Sequence, residues 1–274
     1  MTAFSVVMSV YRADRPTDFL LAVESVMDQT VSPQELVIAV DGSIGPELEA
    51  VLAEAGRRPI VRIVRLPVNQ GPGAARHAAV MEARHEIVAV MDADDISLSD
   101  RFERQLGHLE SSGADVVGGF IEEFDKMPGD LHRIREVALS HEGIMRFGRW
   151  RSPMNHVTIM FRRTAYIRAG GYHAWRGVED YDLYHRMFMT GARFANFPEV
   201  LVHVRGGTSI LARRRGLSYL RQELALIRRM RQSGFLTMWQ WALNSGLRIA
   251  IRFLPSGVIG RIYRLLRRTS AHGS

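Results

Sequence analysis

The stretch Ile87-Val88-Ala89-Val90-Met91-Asp92-Ala93-Asp94-Asp95 constrains this chain more than any other. Five apolar residues, three of them β-branched, predict a strand buried on both faces, and they run without a spacer into three carboxylates. In open α/β sheets the C-terminal strand edge is where ligands sit. Acids gathered there repel one another unless a cation or a hydrogen-bond network offsets them. Hard oxygen donors with few fixed partners suit Mg2+ or Mn2+ bound together with a substrate diphosphate. The plainer alternative is a solvated turn in which Asp95 caps a helix near Ser99.

The rest of the chain repeats the strand, acid, turn pattern. Phe4 to Val10 reads as a central strand ending at Tyr11, and Pro16 opens a helix whose apolar positions follow helical spacing. Leu36 to Val40 is a second strand and ends in Asp41-Gly42-Ser43. Glu47 to Ala55 predicts a helix and Ile60 to Leu66 a third strand. Asn69 to Arg76 is a Gly-rich loop opening a small-residue helix that runs to about Arg84. Its spacing matches neither a Walker A loop nor a Rossmann fingerprint, so a phosphate contact and a plain turn both stay open. Strands alternating with helices predict an α/β fold, a mostly parallel doubly wound sheet with flanking helices. Such a sheet gathers Tyr11, Asp41 and Asp92–Asp95 on one rim.

Farther along, Ser99 to Ser111 predicts a helix and Ala114 to Phe124 a fifth strand, kinked at Gly118-Gly119. Residues 126–152 read as a loop with a short helix near Gly143–Phe147, and Val157 to Phe161 as a strand preceded by Asn155-His156. A further helix opens in Gly177-Val178-Glu179-Asp180-Tyr181-Asp182-Leu183 and runs to Met189. Acids in a first helical turn suit the helix dipole, and for Asp182 that capping reading is preferred.

Taken in order, these segments resemble the family 2 inverting glycosyltransferases of the GT-A fold. The resemblance is carried by Tyr11 after the first strand, Ser25-Val26-Met27-Asp28-Gln29-Thr30, Val40-Asp41-Gly42-Ser43, and Asn69 with Gly71. Ala75-Arg76, Asp92-Ala93-Asp94-Asp95 and Glu179-Asp180-Tyr181-Asp182-Leu183 complete it, over roughly residues 3–205. Asn155-His156-x-Thr158-x-Met160-Phe161-Arg162, Gly170-Gly171-Tyr172 and Arg213-Arg214-Arg215-Gly216 are similar to the amylovoran-type exopolysaccharide enzymes within that family.

The resemblance implies a nucleotide-diphosphate sugar donor on the sheet edge. Asp41 would meet the nucleobase, the backbone around Tyr11 the nucleoside, and Arg76 the donor side of the site. Asp92 would contact the ribose or a metal-bound water, and Asp94 would hold a divalent ion, Mn2+ or Mg2+. Asp180 would be the catalytic base, with Glu179, Asn155, His156 and Arg205 as acceptor contacts or supports. Two departures stand out. His77 follows Ala75-Arg76 where many relatives have Asn, and Gly206-Gly207 follows Arg205 where relatives often carry a metal-binding His. The implied activity is inverting hexosyl or N-acetylhexosaminyl transfer to a bacterial surface- or exo-polysaccharide intermediate, expected to be lipid-linked. A catalytically silent nucleotide-sugar-binding partner is the alternative, and the presence of both Asp94 and Asp180 argues against it.

Charge divides the chain in two. The net charge is +7, yet residues 203–274 carry 14 arginines, no lysine and one acid, Glu223, which leaves residues 1–202 at −6. An acidic body with no nucleic-acid motif argues against nucleic acid as a partner. The chain has no cysteine, so disulfides and thiolate sites are excluded, in keeping with the cytosol. No secretory signal is expected at Met1–Val10, and no uncharged apolar run reaches the ~18 residues that span a bilayer.

Leu217 to Arg231 predicts a helix, and from Trp239 the apolar Leu243, Leu247, Ala250 and Leu254 recur against a row of Gln240, Asn244, Arg248 and Arg252. Past Pro255, Ile259, Ile262, Tyr263 and Leu266 interleave with Arg261, Arg264, Arg267 and Arg268. A basic amphipathic segment of this kind reads as an interfacial membrane anchor, each basic residue adding about 1 kcal/mol near an anionic surface. A helical cap on the catalytic domain and a partner-binding face are the competing readings. The expected organisation is a catalytic domain, residues 1–205, and a basic helical extension, residues 206–274. The expected location is cytoplasmic, peripheral on the inner face of the plasma membrane.

Overall fold

The computed structural model describes residues 2–206 and 216–253, with side chains to Ala250. Gly207, Arg213–Arg215 and the arginine-rich stretch past Pro255 lie outside the described residues.

The first half alternates as expected. Strand β1 (Phe4–Val10) is followed by α1 (Pro16–Met27), β2 (Glu35–Asp41), α2 (Pro46–Ala55), β3 (Val61–Leu66), α3 (Pro72–Glu82) and β4 (Ile87–Asp92). Proline stands at the start of α1, α2 and α3, where its missing N–H costs nothing. The second half is less regular: β5 (Ile96–Ser97), α4 (Arg101–Ser112), β6 (Val116–Phe124), β7 (Arg133–Arg135) and α5 (His141–Gly148). A 3-10 turn (His156–Thr158), β8 (Met160–Arg162), α6 (Arg163–Arg168), α7 (Glu179–Met189) and β9 (Phe194–Arg205) follow. Two helices close the described chain, α8 (Leu217–Gln232) and α9 (Met238–Phe253).

The strands form one sheet of order β3-β2-β1-β4-β8-β6-β9-β5, with β7 on β6. Parallel pairs β1–β2, β1–β4, β2–β3 and β6–β9 hold most of the paired residues. The short β8 runs antiparallel between β4 and β6 and joins the two parallel blocks. Period-2 alternation sends Phe4, Val6, Met8 and Val10 into one buried layer with Phe19, Leu52 and Phe102, and Val7, Val37, Val88 and Val90 into a second with Ala75, Tyr166 and Leu183.

Two local expectations are corrected. Val157 and Thr158 form the 3-10 turn, so only the second half of the Val157–Phe161 run is strand. Asp95 does not cap the helix after it. The next two residues, Ile96 and Ser97, instead enter the sheet as β5, antiparallel to the end of β9, and Asp95 accepts from the Arg205 amide at 2.8 Å. The kink in β6 is present as register shifts after Gly119 and Phe120.

Candidate active site

Strands β1, β2 and β4 end on the same edge because they are parallel neighbours in register: Val10 opposite Val40, and Ser9 opposite Asp92. Each predicted donor residue stands on that edge or at its rim. Tyr11 is 38% exposed, and its amide donates to Asp14 at 2.8 Å. Asp41 is buried and accepts from the Asn69 side chain at 3.0 Å and from the Gln70 and Gly71 amides at 2.7 and 2.9 Å. Its carboxylate therefore shapes the Gly-rich loop, whatever else it contacts. Gly42 makes this possible: with φ +81 it brings the chain so close that a Cβ would lie 2.7 Å from the Asn69 nitrogen.

Arg76, on the second turn of α3, reaches under the edge and donates to Asp92 at 2.6 Å. Burial works against its charge, but Asp92, with Tyr172 and Glu179, outweighs this and raises its pKa. Burial likewise opposes the charge on Asp92, and Arg76 chiefly holds its pKa below the usual carboxylate value. Asp94 is half-buried at the rim and its carbonyl accepts from Arg205 at 3.3 Å. Asp95, 3% exposed, is pushed well up by burial and by the charges of Asp94 and Asp92.

Directly beneath the acids lies Arg101, fully buried and absent from the sequence expectations. Its guanidinium donates to the carbonyls of Val90 and Val157 at 2.8 and 3.0 Å and to Gln105 at 2.8 Å. It thereby ties β4 to the 3-10 turn. Burial lowers its pKa while Asp92 and Asp95 act in the other direction; a guanidinium stays protonated all the same. One arginine near an exposed-looking helix start carries no signal of burial in a single sequence.

The turn that Arg101 holds presents His156. Its Nδ1 lies 2.6 Å from the Tyr184 hydroxyl and its Nε2 2.9 Å from the Tyr172 hydroxyl. Burial, aided by Arg76, pushes its pKa down to about 4, so it is neutral at pH 7 with both nitrogens occupied. His156 is thus held between two tyrosine hydroxyls. Asn155 is buried and donates to the Gly119 and Arg135 carbonyls at 2.8 and 3.1 Å. Besides the Asp94 carbonyl, the Arg205 guanidinium pairs with Asp18 at 3.0 Å and lies over the Phe124 ring. His77 sits behind the site against the Tyr166 hydroxyl at 2.7 Å.

On the other flank, α7 starts at Glu179 and Asp180. Glu179 is buried against Gly73 of α3, where a Cβ would come within 3.1 Å of its own Cβ, and this close fit sets α7 beside Arg76. Burial and the Asp180 charge raise the Glu179 pKa. Asp180 is half-buried and accepts from the Ser152 hydroxyl at 3.1 Å. Asp182 is buried in a pair with Arg186 at 2.8 Å, an ion pair within the helix in place of the expected capping role. Both Asp92 and Asp180 act electrostatically on His156, Tyr172 and Tyr184. The strand edge and the helix start therefore face one buried, neutral Tyr–His–Tyr set.

A family model described as glycosyl transferase family 2 matches residues 5–171. The chain belongs to that family. This glycosyltransferase is 35% identical over 270 residues to the amylovoran biosynthesis glycosyltransferase AmsE of Erwinia amylovora, covering 97% of this chain and 99% of that one. It is 31% identical to the UDP-Gal:alpha-D-GlcNAc-diphosphoundecaprenol beta-1,3-galactosyltransferase of Escherichia coli, covering 97% and 96%. Among solved structures it superposes on residues 1–349 of S. aureus TarS in complex with UDP-GlcNAc with a TM-score of 0.68 at 14% identity, covering 90% of this chain and 72% of that one. It spans 40% of the longer TarS chain. The fold is thus the GT-A-like one expected for the family.

Proposed function

We propose that this glycosyltransferase moves a hexosyl or N-acetylhexosaminyl unit, with inversion, from a nucleotide-diphosphate sugar to a lipid-linked saccharide in bacterial surface- or exo-polysaccharide assembly. The relatives support the class: AmsE is named for amylovoran biosynthesis, and the E. coli enzyme for a diphosphoundecaprenol-linked acceptor. Both UDP and UDP-GlcNAc are named in TarS complexes. A reaction on such an acceptor takes place at the cytoplasmic membrane face, in line with a peripheral protein; no helix among the described residues is long and apolar enough to cross a membrane. Residues 1–205 form the catalytic unit in this reading and residues 206–274 its extension.

The observation that carries the mechanism is the convergence of Asp92–Arg76 and Asp180 on the same Tyr–His–Tyr set. A donor lying along the strand edge presents its anomeric carbon between them. The acceptor hydroxyl attacks that carbon from the α7 side and forms the new C–O bond as the bond to the diphosphate breaks. Asp180 takes the hydroxyl proton, and the nucleoside diphosphate leaves with the bonding pair. His156, Tyr172 and Tyr184 are neutral and hydrogen-bonded to one another, so they hold the geometry without competing for the proton.

The residues fit a divalent ion of the nucleotide-site kind, which uses one or two carboxylates together with substrate phosphates. Among the described residues no group of three or more His, Asp or Glu forms a complete protein cage, and Asp92 is engaged by Arg76. Asp94 would hold the ion, Mn2+ or Mg2+, and its crowding with Asp92 and Asp95 is the kind of charge a cation offsets. Bound there, the ion would neutralise charge on the leaving diphosphate.

The test compares two variants on a panel of nucleotide sugars. Asp180→Asn should lose about 10²–10⁴-fold in kcat with donor affinity kept. Asp94→Ala should lose Mn2+-dependent nucleotide binding itself. Full turnover in Asp180→Asn would sink the base assignment, and unchanged Mn2+-dependent affinity in Asp94→Ala would sink the metal assignment.

A further inference from the structure

Helix α9 is turned the opposite way from an ordinary surface helix. Its polar residues face inward: Asn244 is 3% exposed and donates to the Arg149 carbonyl at 2.8 Å, and Arg248 donates to the Trp150 carbonyl at 2.9 Å while pairing with Glu223. The exposed positions between 238 and 250 include no polar or charged residue. Trp239 stands 73% exposed, Leu247 49% and Leu243 39%, on one stripe with Ala242 and Ile249. The sequence pattern separates two surfaces correctly, yet the polar one grips the protein and the apolar one is outside. A solvated helix does the reverse. A contiguous apolar stripe of this kind is built to be covered.

Charge selects the occupant. Residues 203–274 carry 14 arginines against one acid, and that acid, Glu223, is already taken by Arg248. Arg221 and Arg228 of α8 are exposed. An apolar stripe bearing an exposed Trp, in a segment rich in arginine and nearly free of acid, matches an anionic lipid surface: apolar side chains enter the acyl boundary and guanidinium groups meet phosphates. The inner face of α9 adds position. It holds Arg149 and Trp150, two residues from the Ser152 that touches Asp180.

We infer that the outer face of α9 seats this enzyme in the headgroup layer of an anionic membrane, with the acceptor flank of the site turned toward the bilayer. The inference deepens the lipid-linked acceptor reading and rests on it for the orientation.

The full chain is tested by flotation with vesicles of phosphatidylcholine alone and of phosphatidylcholine mixed with phosphatidylglycerol. The wild type should float with the mixed vesicles, and Trp239→Gln/Leu243→Gln/Leu247→Gln should lose about tenfold or more in partition. Transfer to a water-soluble acceptor should stay unchanged in that variant. Trp239→Phe, which keeps the fold, should remove most of the fluorescence quenching produced by brominated lipid in the mixed vesicles. Flotation of the triple variant equal to wild type would overturn the inference, as would indifference of the wild type to both vesicles. A wild-type dimer that the triple variant converts to monomer would overturn it in favour of a second copy. Equal turnover on lipid-linked and water-soluble acceptors would sink the acceptor reading and leave the flotation result standing.

Discussion

The strand-edge rim and the α7 flank of the candidate site are assembled over different distances along the chain. On the rim, Arg76 and Asp92 are 16 residues apart, and Asp41 and the Gly71 amide 30. On the flank, Ser152 reaches Asp180 across 28 residues, but its segment is held by Asn244 and Arg248 across 95 and 98. The rim follows from strand ends in register, which local pattern already specifies. The terminal helices pack beside the flank through Val178, Tyr181, Ile227 and Met230. One half of the site is a property of the sheet, and the other depends on what docks against it.

Three measurements can break or sharpen that division. Arg101→Met has the largest expected effect, because Arg101 stitches the two halves together. It would leave the Val90 and Val157 carbonyls and Gln105 without their buried donor. At about 1–3 kcal/mol for each unsatisfied group, a total loss of about 3 kcal/mol or more is expected in urea unfolding. A loss under about 1 kcal/mol would mean the rim and the turn carrying His156 hold together without it.

Ser152→Ala acts on the flank alone. Losing one hydrogen bond worth about 1 kcal/mol should lower kcat about fivefold and leave the donor KM unchanged. A donor KM that rises as far as kcat falls would erase the separation between the two sides.

The third measurement concerns pH. His185 of α7, 5% exposed and 2.7 Å from the Ser233 hydroxyl, has its pKa pushed down to about 4 by burial. The unfolded chain, with an ordinary histidine near 6.5, then binds more protons than the folded one between those values. Stability from this group is complete above about pH 6.5 and falls as pH drops toward 4, by at most about 1.4 kcal/mol per pH unit. His185→Gln should flatten the slope of unfolding free energy between pH 7 and 5. The same slope in both proteins would show that the α7–α8 contact does not hold this histidine neutral.

Legibility in the sequence tracks the same division. The β-branched runs at Phe4–Val10, Leu36–Val40 and Ile87–Met91 read as buried strands, and their order with the intervening helices implied parallel neighbours and a shared edge. That placed Tyr11, Asp41 and Asp92–Asp95 at the rim without any knowledge of contacts. The Asp41 carboxylate was harder to read, since Asp-Gly marks a turn and says nothing about the Asn69–Gly71 amides it collects. The partners of Arg205, the Phe124 ring and the Asp18 carboxylate, come from distant segments and carry no signal in the sequence.

The sequence by itself determined the alternation of strand and helix, the acidic sheet edge and the two-sided character of the last helix, because periodicity and chain order are local properties. Only the tertiary structure decided that Arg101 lies beneath the acids, that His156 is held neutral between two tyrosines, and that α9 turns its apolar side outward. Those depend on which surfaces meet, and burial converts the same residue types from solvated charges into partners held in place.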